Sequence, residues 1–316
     1  MTTRSFNDRL RGIHAATIVP MKSDFSIDER ALAAHLSQVA SVPGINGLLV
    51  NGHAGENVML SLAEKLRVVE IAREHSPEDC LIVSGVNHEA SLEAAREAAA
   101  LEKVGADGLL VFPPNSWALV HADTCVIEHH QRIRDVTSVP LMLYGAPVSA
   151  GAMAYSQPVL QQLVADRRFV AIKDGSWEVS AYEQNLRLIR RLRPDFGVLS
   201  SGDEHLLTSY IIGSDGSQVS LAAVVPDLVV RLWKAAEAGN WAQARAMHEK
   251  LYPLAVVMYR DAPPGRATAR LKACLKLLGR LPSDALRPPH LPVTSTELPA
   301  LHLALRMAGV LEVRSG

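Results

Sequence analysis

The chain has 316 residues, 32 basic and 33 acidic, for a formal charge of −1. No window concentrates enough Lys and Arg to track a phosphate backbone, so nucleic acid is not an expected partner. Cys80, Cys125 and Cys274 are scattered without a CxxC spacing, which argues against both a disulfide framework and a zinc site and fits a reducing compartment.

The N-terminal stretch "MTTRSFNDRLRG" has no apolar signal-like core, and no run approaches the roughly eighteen apolar residues of a membrane span. A soluble, cytoplasmic protein is expected. Short apolar runs then recur: "AATIV" at 15–19, "GLLV" at 47–50, "LIVSG" at 81–85, "GLLVF" at 108–112, "PLMLY" at 140–144, "VAIK" at 170–173, "GVLSS" at 197–201 and "SQVS" at 217–220. They lack polar alternation, as parallel strands buried on both faces do. Between them lie helical segments. "SLAEKLRVVEIAREH" at 61–75 puts Leu62, Leu66, Val69 and Ala72 on one face, and "EASLEAAREAAALEKVG" at 89–105 is Ala-rich and stopped by Gly105. The basic run "RLIRRLRP" at 187–194 reads as the last turns of a helix, where cations favour the macrodipole.

Strand and helix thus alternate eight times. A doubly wound open sheet would give the same local signal, but no GxGxxG follows the first strand. The expected fold is α/β, a (β/α)8 barrel over residues 1–225. After Pro226 the pattern is helical, and residues 226–316 are read as a C-terminal helical extension packed on the barrel, since no flexible linker intervenes.

In a parallel barrel the chemistry sits at the C-terminal ends of the strands. Those ends carry "NGHAGEN", "FPPNSW", Tyr144, Lys173, "SGDE" and Gln218. A lysine following Phe169, Val170, Ala171 and Ile172 loses hydration of its charged form, so its amine becomes available to attack a carbonyl, and Tyr144 on the neighbouring strand could carry protons for it. Pairing of Lys173 with Asp174 at the rim is the alternative. Gly52 and Gly55 let the "GHAG" backbone approach a ligand closely, with its N–H groups around a carboxylate, although a tight turn alone needs the same residues.

The order of "NGHAGENVMLSLAEK", "VPLMLYGAP", "FVAIKDGS" and "SGDEHLL", followed by "GSDGSQVSLAAVVP" and a late "RPP", resembles the dihydrodipicolinate synthase / N-acetylneuraminate lyase family over nearly the whole chain. The resemblance implies a homotetramer built as a dimer of dimers, no metal and no organic cofactor. It makes Lys173 the Schiff-base lysine and Tyr144 the proton-shuttling tyrosine. The 52–56 segment, with Gly52, His53, Ala54 and Gly55, falls on the loop that binds a 2-keto acid carboxylate.

The chain departs from the family at several places. His53 and Ala54 stand where the family has two hydroxyl residues, and Asn115 stands where it has a second tyrosine donated by a neighbouring subunit. Ser149 replaces the arginine that grips the aldehyde substrate in dihydrodipicolinate synthases. Asp203 and Glu204 resemble the acidic pair that holds sugar hydroxyls in the lyases, with capping of the next helix as the alternative for Asp203. Gln218 replaces an apolar residue and calls for a substrate hydroxyl or water as partner.

The resulting expectation is a Schiff-base lyase cleaving or dehydrating a 2-keto-3-deoxy sugar acid or related hydroxy-keto acid. True dihydrodipicolinate synthase and a non-catalytic 2-keto acid binder are the alternatives. His53 is expected to take over the lost relay and titrate near its unperturbed value of about 6.5, or else only to donate a hydrogen bond to the substrate or fill space.

Overall fold

The computed structural model describes residues 6–119 and 121–311. Among them, eight parallel strands close into a barrel in sequential order: β1 (Gly12–Ala16), β2 (Ile45–Val50), β3 (Leu81–Val86), β4 (Gly108–Val111), β5 (Leu141–Gly145), β6 (Phe169–Asp174), β7 (Gly197–Ser200) and β8 (Gly216–Val219). The first strand starts earlier than the apolar run suggested. Residues 17–19 leave the regular ladder, though the Thr17 N–H still reaches the Leu49 carbonyl at 3.0 Å. The seam between β1 and β8 is tight: a Cβ at Gly216, whose φ is +137°, would lie 1.9 Å from the Gly12 carbonyl oxygen. Only glycine fits there.

The helices are α1 (Phe6–Leu10), α2 (Glu29–Ala40), α3 (Leu62–His75), α4 (Ser91–Lys103), α5 (Asp123–Arg134), α6 (Gln157–Ala165), α7 (Val179–Leu192), α8 (Leu206–Ile212), α9 (Leu221–Val224), α10 (Pro226–Glu237), α11 (Trp241–Tyr259), α12 (Ala267–Leu277) and α13 (Leu298–Met307). Among the described residues no helix is long and apolar enough to cross a membrane.

Local chemistry explains the boundaries. Ser61 and Glu64 form a reciprocal capping box at the start of α3, and Gly105, at φ +102°, follows the end of α4. The buried face of α3 differs from the expected one. Leu62 is exposed, while Lys65, Val68, Val69, Ile71 and Ala72 are buried. Lys65 turns inward on this face and pairs with Glu97 at 2.9 Å, which the apolar count alone could not place. The basic run of α7 fulfils its expected place at a helix end: Arg190 donates to the Phe196 carbonyl, and Arg193 just beyond donates to those of Val164, Asp166 and Phe169.

Two apolar layers result. The outer one lies between barrel and helices and runs on without a break into α10 to α13. The inner one fills the barrel with Ala16, Leu49, Val83, Leu110, Met142, Ala171 and Leu199, and Leu10 of α1 belongs to it. Strand side chains alternate with period two. If Met142 and Ala171 point inward, so must Tyr144 and Lys173, one pair higher and directly opposite each other in register.

Candidate active site

Above the inner layer lies an open cavity of about 570 Å³ at the C-terminal ends of the strands. Of the residues singled out from sequence, His53, Ala54, Tyr144, Ser149, Lys173, Asp203 and Gln218 line it. Gly52, Gly55, Glu204 and Asn115 do not.

Lys173 is 8% exposed, and its Nζ has no hydrogen-bond or ion-pair partner among the described residues. It lies 5.8 Å from the centroid of the Tyr144 ring. Burial lowers its pKa to about 8, against an opposing pull from Asp203. The rim pairing with Asp174 does not occur. Asp174 points to the other face of β6, where it accepts from Ser176 N–H and Asn185 Nδ2, both at 2.9 Å. The Tyr144 phenol is pushed up to about 12 by burial and by the Asp174 charge, so it stays protonated at neutral pH.

The loop after β2 folds as a short 3-10 turn over His53–Gly55. The two glycines shape it without walling the cavity: Gly55 N–H donates to the Gly52 carbonyl at 3.0 Å. The His53 and Ala54 amides have no protein acceptor among the described residues, and both residues face the cavity. Adjacent N–H groups without an acceptor beside a cavity suit an anion. The turn is clamped from behind by Glu56, which adopts φ +56°, forms an ion pair with Lys272 of α12 and accepts from Arg287 N–H at 3.0 Å.

The His53 ring packs on Phe112 at 4.4 Å and edge-on to Tyr144 at 5.4 Å between centroids. It makes ring contact with Tyr144 and no hydrogen bond. His53 is an exposed residue on the cavity side, yet protein encloses enough of its ring that desolvation, and then the Lys173 charge, lower its pKa. The expected titration near 6.5 is therefore displaced downward.

Asp203 does not cap α8, whose N-cap is His205. Its Oδ1 instead accepts from Leu221 N–H at 2.8 Å, and its carboxyl faces the Tyr259 hydroxyl. Burial raises its pKa to about 6, with Leu221, Tyr259 and Lys173 pulling the other way. Glu204 is not free to hold a sugar hydroxyl, because Arg260 Nε engages both its oxygens, at 2.8 and 2.7 Å. Asn115 spends its N–H on Glu89 at 2.9 Å, away from the cavity. Gln218 is completely buried, lines the cavity, and has neither amide atom partnered.

The remaining wall was not foreseen. Trp177, Ser220, Tyr259, Arg260 and Thr268 all reach the cavity. Trp177 holds a left-handed backbone, φ +58°, and sets its ring 5.0 Å from that of Tyr259. A bulky residue at positive φ is a local strain that commonly marks a ligand site, and Trp177 stands four residues after the lysine in "KDGSW". For Tyr259 the only signal was an aromatic at the end of a helix before the Pro- and Gly-rich "DAPPG".

Comparison with known proteins matches residues 9–308 to the dihydrodipicolinate synthetase family. A 4-hydroxy-tetrahydrodipicolinate synthase from Acidobacterium capsulatum is 30% identical over 306 residues, covering 96% of each chain. An Escherichia coli K12 protein named as a probable 2-dehydro-3-deoxy-D-pentonate aldolase, YjhH, is 25% identical over 299 residues, covering 94% of this chain and 98% of its own. Among solved structures, YagE, a prophage protein of the same family from E. coli K12 crystallised with pyruvate, superposes with a TM-score of 0.88 at 23% identity, covering 96% of this chain and 99% of its own.

Proposed function

The chain belongs to the dihydrodipicolinate synthetase family, and from that premise we propose that it is a Schiff-base-forming lyase acting on a 2-keto acid that carries further hydroxyls. One observation carries the proposal. Lys173 offers an inward-facing amine with a lowered pKa and no ion-pair partner among the described residues, beside a protonated phenol, in a cavity large enough for a sugar acid.

Each residue then has a task. The substrate carboxylate sits against the free amides of His53 and Ala54. Lys173 Nζ adds to C2, and loss of the former carbonyl oxygen as water gives an iminium that withdraws electrons from C3. Either the C3–C4 bond breaks, or a C3 proton leaves and the C4 hydroxyl follows. Tyr144 carries protons between these positions. Gln218 finds its missing partners in substrate hydroxyls or in a bound water, since burying both amide atoms unpaired is costly. Ser149, an exposed cavity residue, offers the far end of the substrate a hydroxyl and no positive charge. This favours a polyhydroxy acid over aspartate semialdehyde. A homotetrameric assembly is part of the same proposal, and light scattering tests it.

Borohydride reduction in the presence of pyruvate, followed by intact mass and peptide mapping, is the direct test. An adduct on Lys173 supports the lyase. Its absence across a panel of 2-keto acids favours a binding protein, and turnover in a coupled assay with pyruvate and aspartate semialdehyde would favour the synthase. A screen of 2-keto-3-deoxy acids with product identification then distinguishes aldol cleavage from dehydration.

A further inference from the structure

Asp203 is held in an unusual setting for a buried carboxyl. The guanidinium that lines the same cavity, that of Arg260, is committed to Glu204, and no cation forms an ion pair with Asp203 among the described residues. It is met instead by a backbone N–H from Leu221, by the hydroxyl of Tyr259, and across the cavity by the Lys173 amine. Tyr259 ends α11 and is fixed from two further directions. Its hydroxyl shares a hydrogen bond with Ser220 Oγ, and its ring packs on Trp177. The titratable groups facing Asp203 are thus Lys173 from β6, Tyr210 from α8 and Tyr259 from α11, with Tyr144 of β5 acting in turn on Tyr259.

We propose that Asp203 is the acid that completes imine formation and that Tyr259 is the residue that positions it against Lys173. When the neutral Lys173 amine adds to the C2 carbonyl, one N–H proton passes to the oxygen and a carbinolamine forms. Protonated Asp203 then gives its proton to the carbinolamine hydroxyl, the C–O bond breaks, water leaves, and the nitrogen lone pair makes the C=N bond. Asp203, now a carboxylate, remains as counter-ion to the iminium. The phenol of Tyr259 donates to the carboxylate form, and so it tunes how readily Asp203 gives and regains that proton. The elevation of the Asp203 pKa to about 6 and the depression of that of Lys173 to about 8 bring the two groups close enough to exchange roles within the neutral range.

The inference rests on the Schiff-base reading, and the experiment separates the two. Pyruvate is the probe because it has no distal hydroxyl, so a loss of rate cannot reflect lost sugar contacts. The initial rate of borohydride-trapped adduct formation is measured from pH 5 to 9 in the wild type, Asp203→Asn and Tyr259→Phe. Asn keeps an oxygen for Leu221 N–H and for Tyr259 but has no proton to give. Its trapping rate is expected to fall about 10²-fold, within the range for loss of a positioned acid. Tyr259→Phe is expected to slow trapping about tenfold. It should also move the acid limb of the profile to higher pH, because a donor to the charged carboxyl is lost, while pyruvate affinity changes less than about twofold. Unchanged rates and limbs in both variants, with normal trapping on Lys173 in the wild type, would overturn this inference and leave the Schiff base standing. No trapping on Lys173 in the wild type would overturn both. Thermal unfolding checks that each variant is folded, and if Tyr259→Phe is not, Asp203→Asn alone decides.

Discussion

The setting of Lys173 has two causes: strand alternation from Ala171 sets its direction, and the surrounding protein strips its hydration. Lys173→Ala should therefore abolish adduct formation without unfolding the barrel, as read by intact mass and circular dichroism. Tyr144→Phe should retain adduct but slow turnover by roughly 10²- to 10⁴-fold. For His53 the lowered pKa reverses the expected signature. An imidazole that is already neutral through the physiological range supplies hydrogen bonds without titrating there. His53→Asn should then weaken keto-acid binding yet leave the neutral-range limbs of the rate profile in place, and disappearance of a limb would return His53 to the proton path. Gln218→Leu should hold or raise thermal stability, because two unpartnered polar atoms leave the barrel interior, while KM rises for hydroxylated substrates and not for pyruvate. That Lys173 and Tyr144 would share the cavity was legible from sequence because both end neighbouring strands of a barrel, whose C-terminal ends meet at one mouth. Tyr259 and Trp177 were not. One arrives through the packing of a helix beyond the last strand, and the other through a backbone turn that no propensity for Trp foretells.

At the level of elements, the loop after β2 and the helices after β8 form one device. Glu56 and Lys272 are both wholly buried, and α12 adds a contact from Thr268 Oγ1 to the His53 carbonyl at 3.4 Å. Removing one partner leaves the other charge buried alone, so Lys272→Met should destabilise the protein by about 3–5 kcal/mol in urea unfolding. The double variant Glu56→Leu, Lys272→Met should recover part of that loss while still binding keto acids poorly, because the turn loses its anchor. Full recovery of binding would show that the turn holds its shape by itself. The sequence motifs located this loop and the helices. The cross-link stayed hidden because the pairing of residues so far apart is set by tertiary packing, with no periodic pattern to betray it. The buried face of α3 was hidden in the same way: it includes an ion pair, Lys65 with Glu97, that an apolar count does not register.

Across the whole molecule, the response to acid follows from imidazoles that the mechanism does not use. His14, His35, His129 and His130 are all buried, and burial lowers their pKa values to about 4, 4, 4 and 3. An unfolded chain binds protons on these rings from about pH 6.5 downward, before the folded chain does, so stability falls as pH falls through that window. Each ring adds to the slope in the same sense, most strongly once pH is below the unfolded value. Asp174 and Asp203, whose pKa values are raised, oppose this over the lower part of the window, but the histidines outnumber them. Urea midpoints should therefore drop steadily between pH 7 and 5. His35→Leu, which removes a ring with neither nitrogen partnered, should flatten the slope, and an unaltered slope would place the acid sensitivity elsewhere. The eightfold alternation that defines the barrel was plain in the sequence. How its last helices complete the cavity was not, since that depends on contacts between distant segments. The same geometry has a consequence for the order of synthesis. Lys173 leaves the ribosome long before Tyr259, Lys272 and Arg287, so during part of synthesis its amine has neither the phenol nor the clamped turn beside it. Under the proposed mechanism, chemical competence arrives only with translation of the final helices.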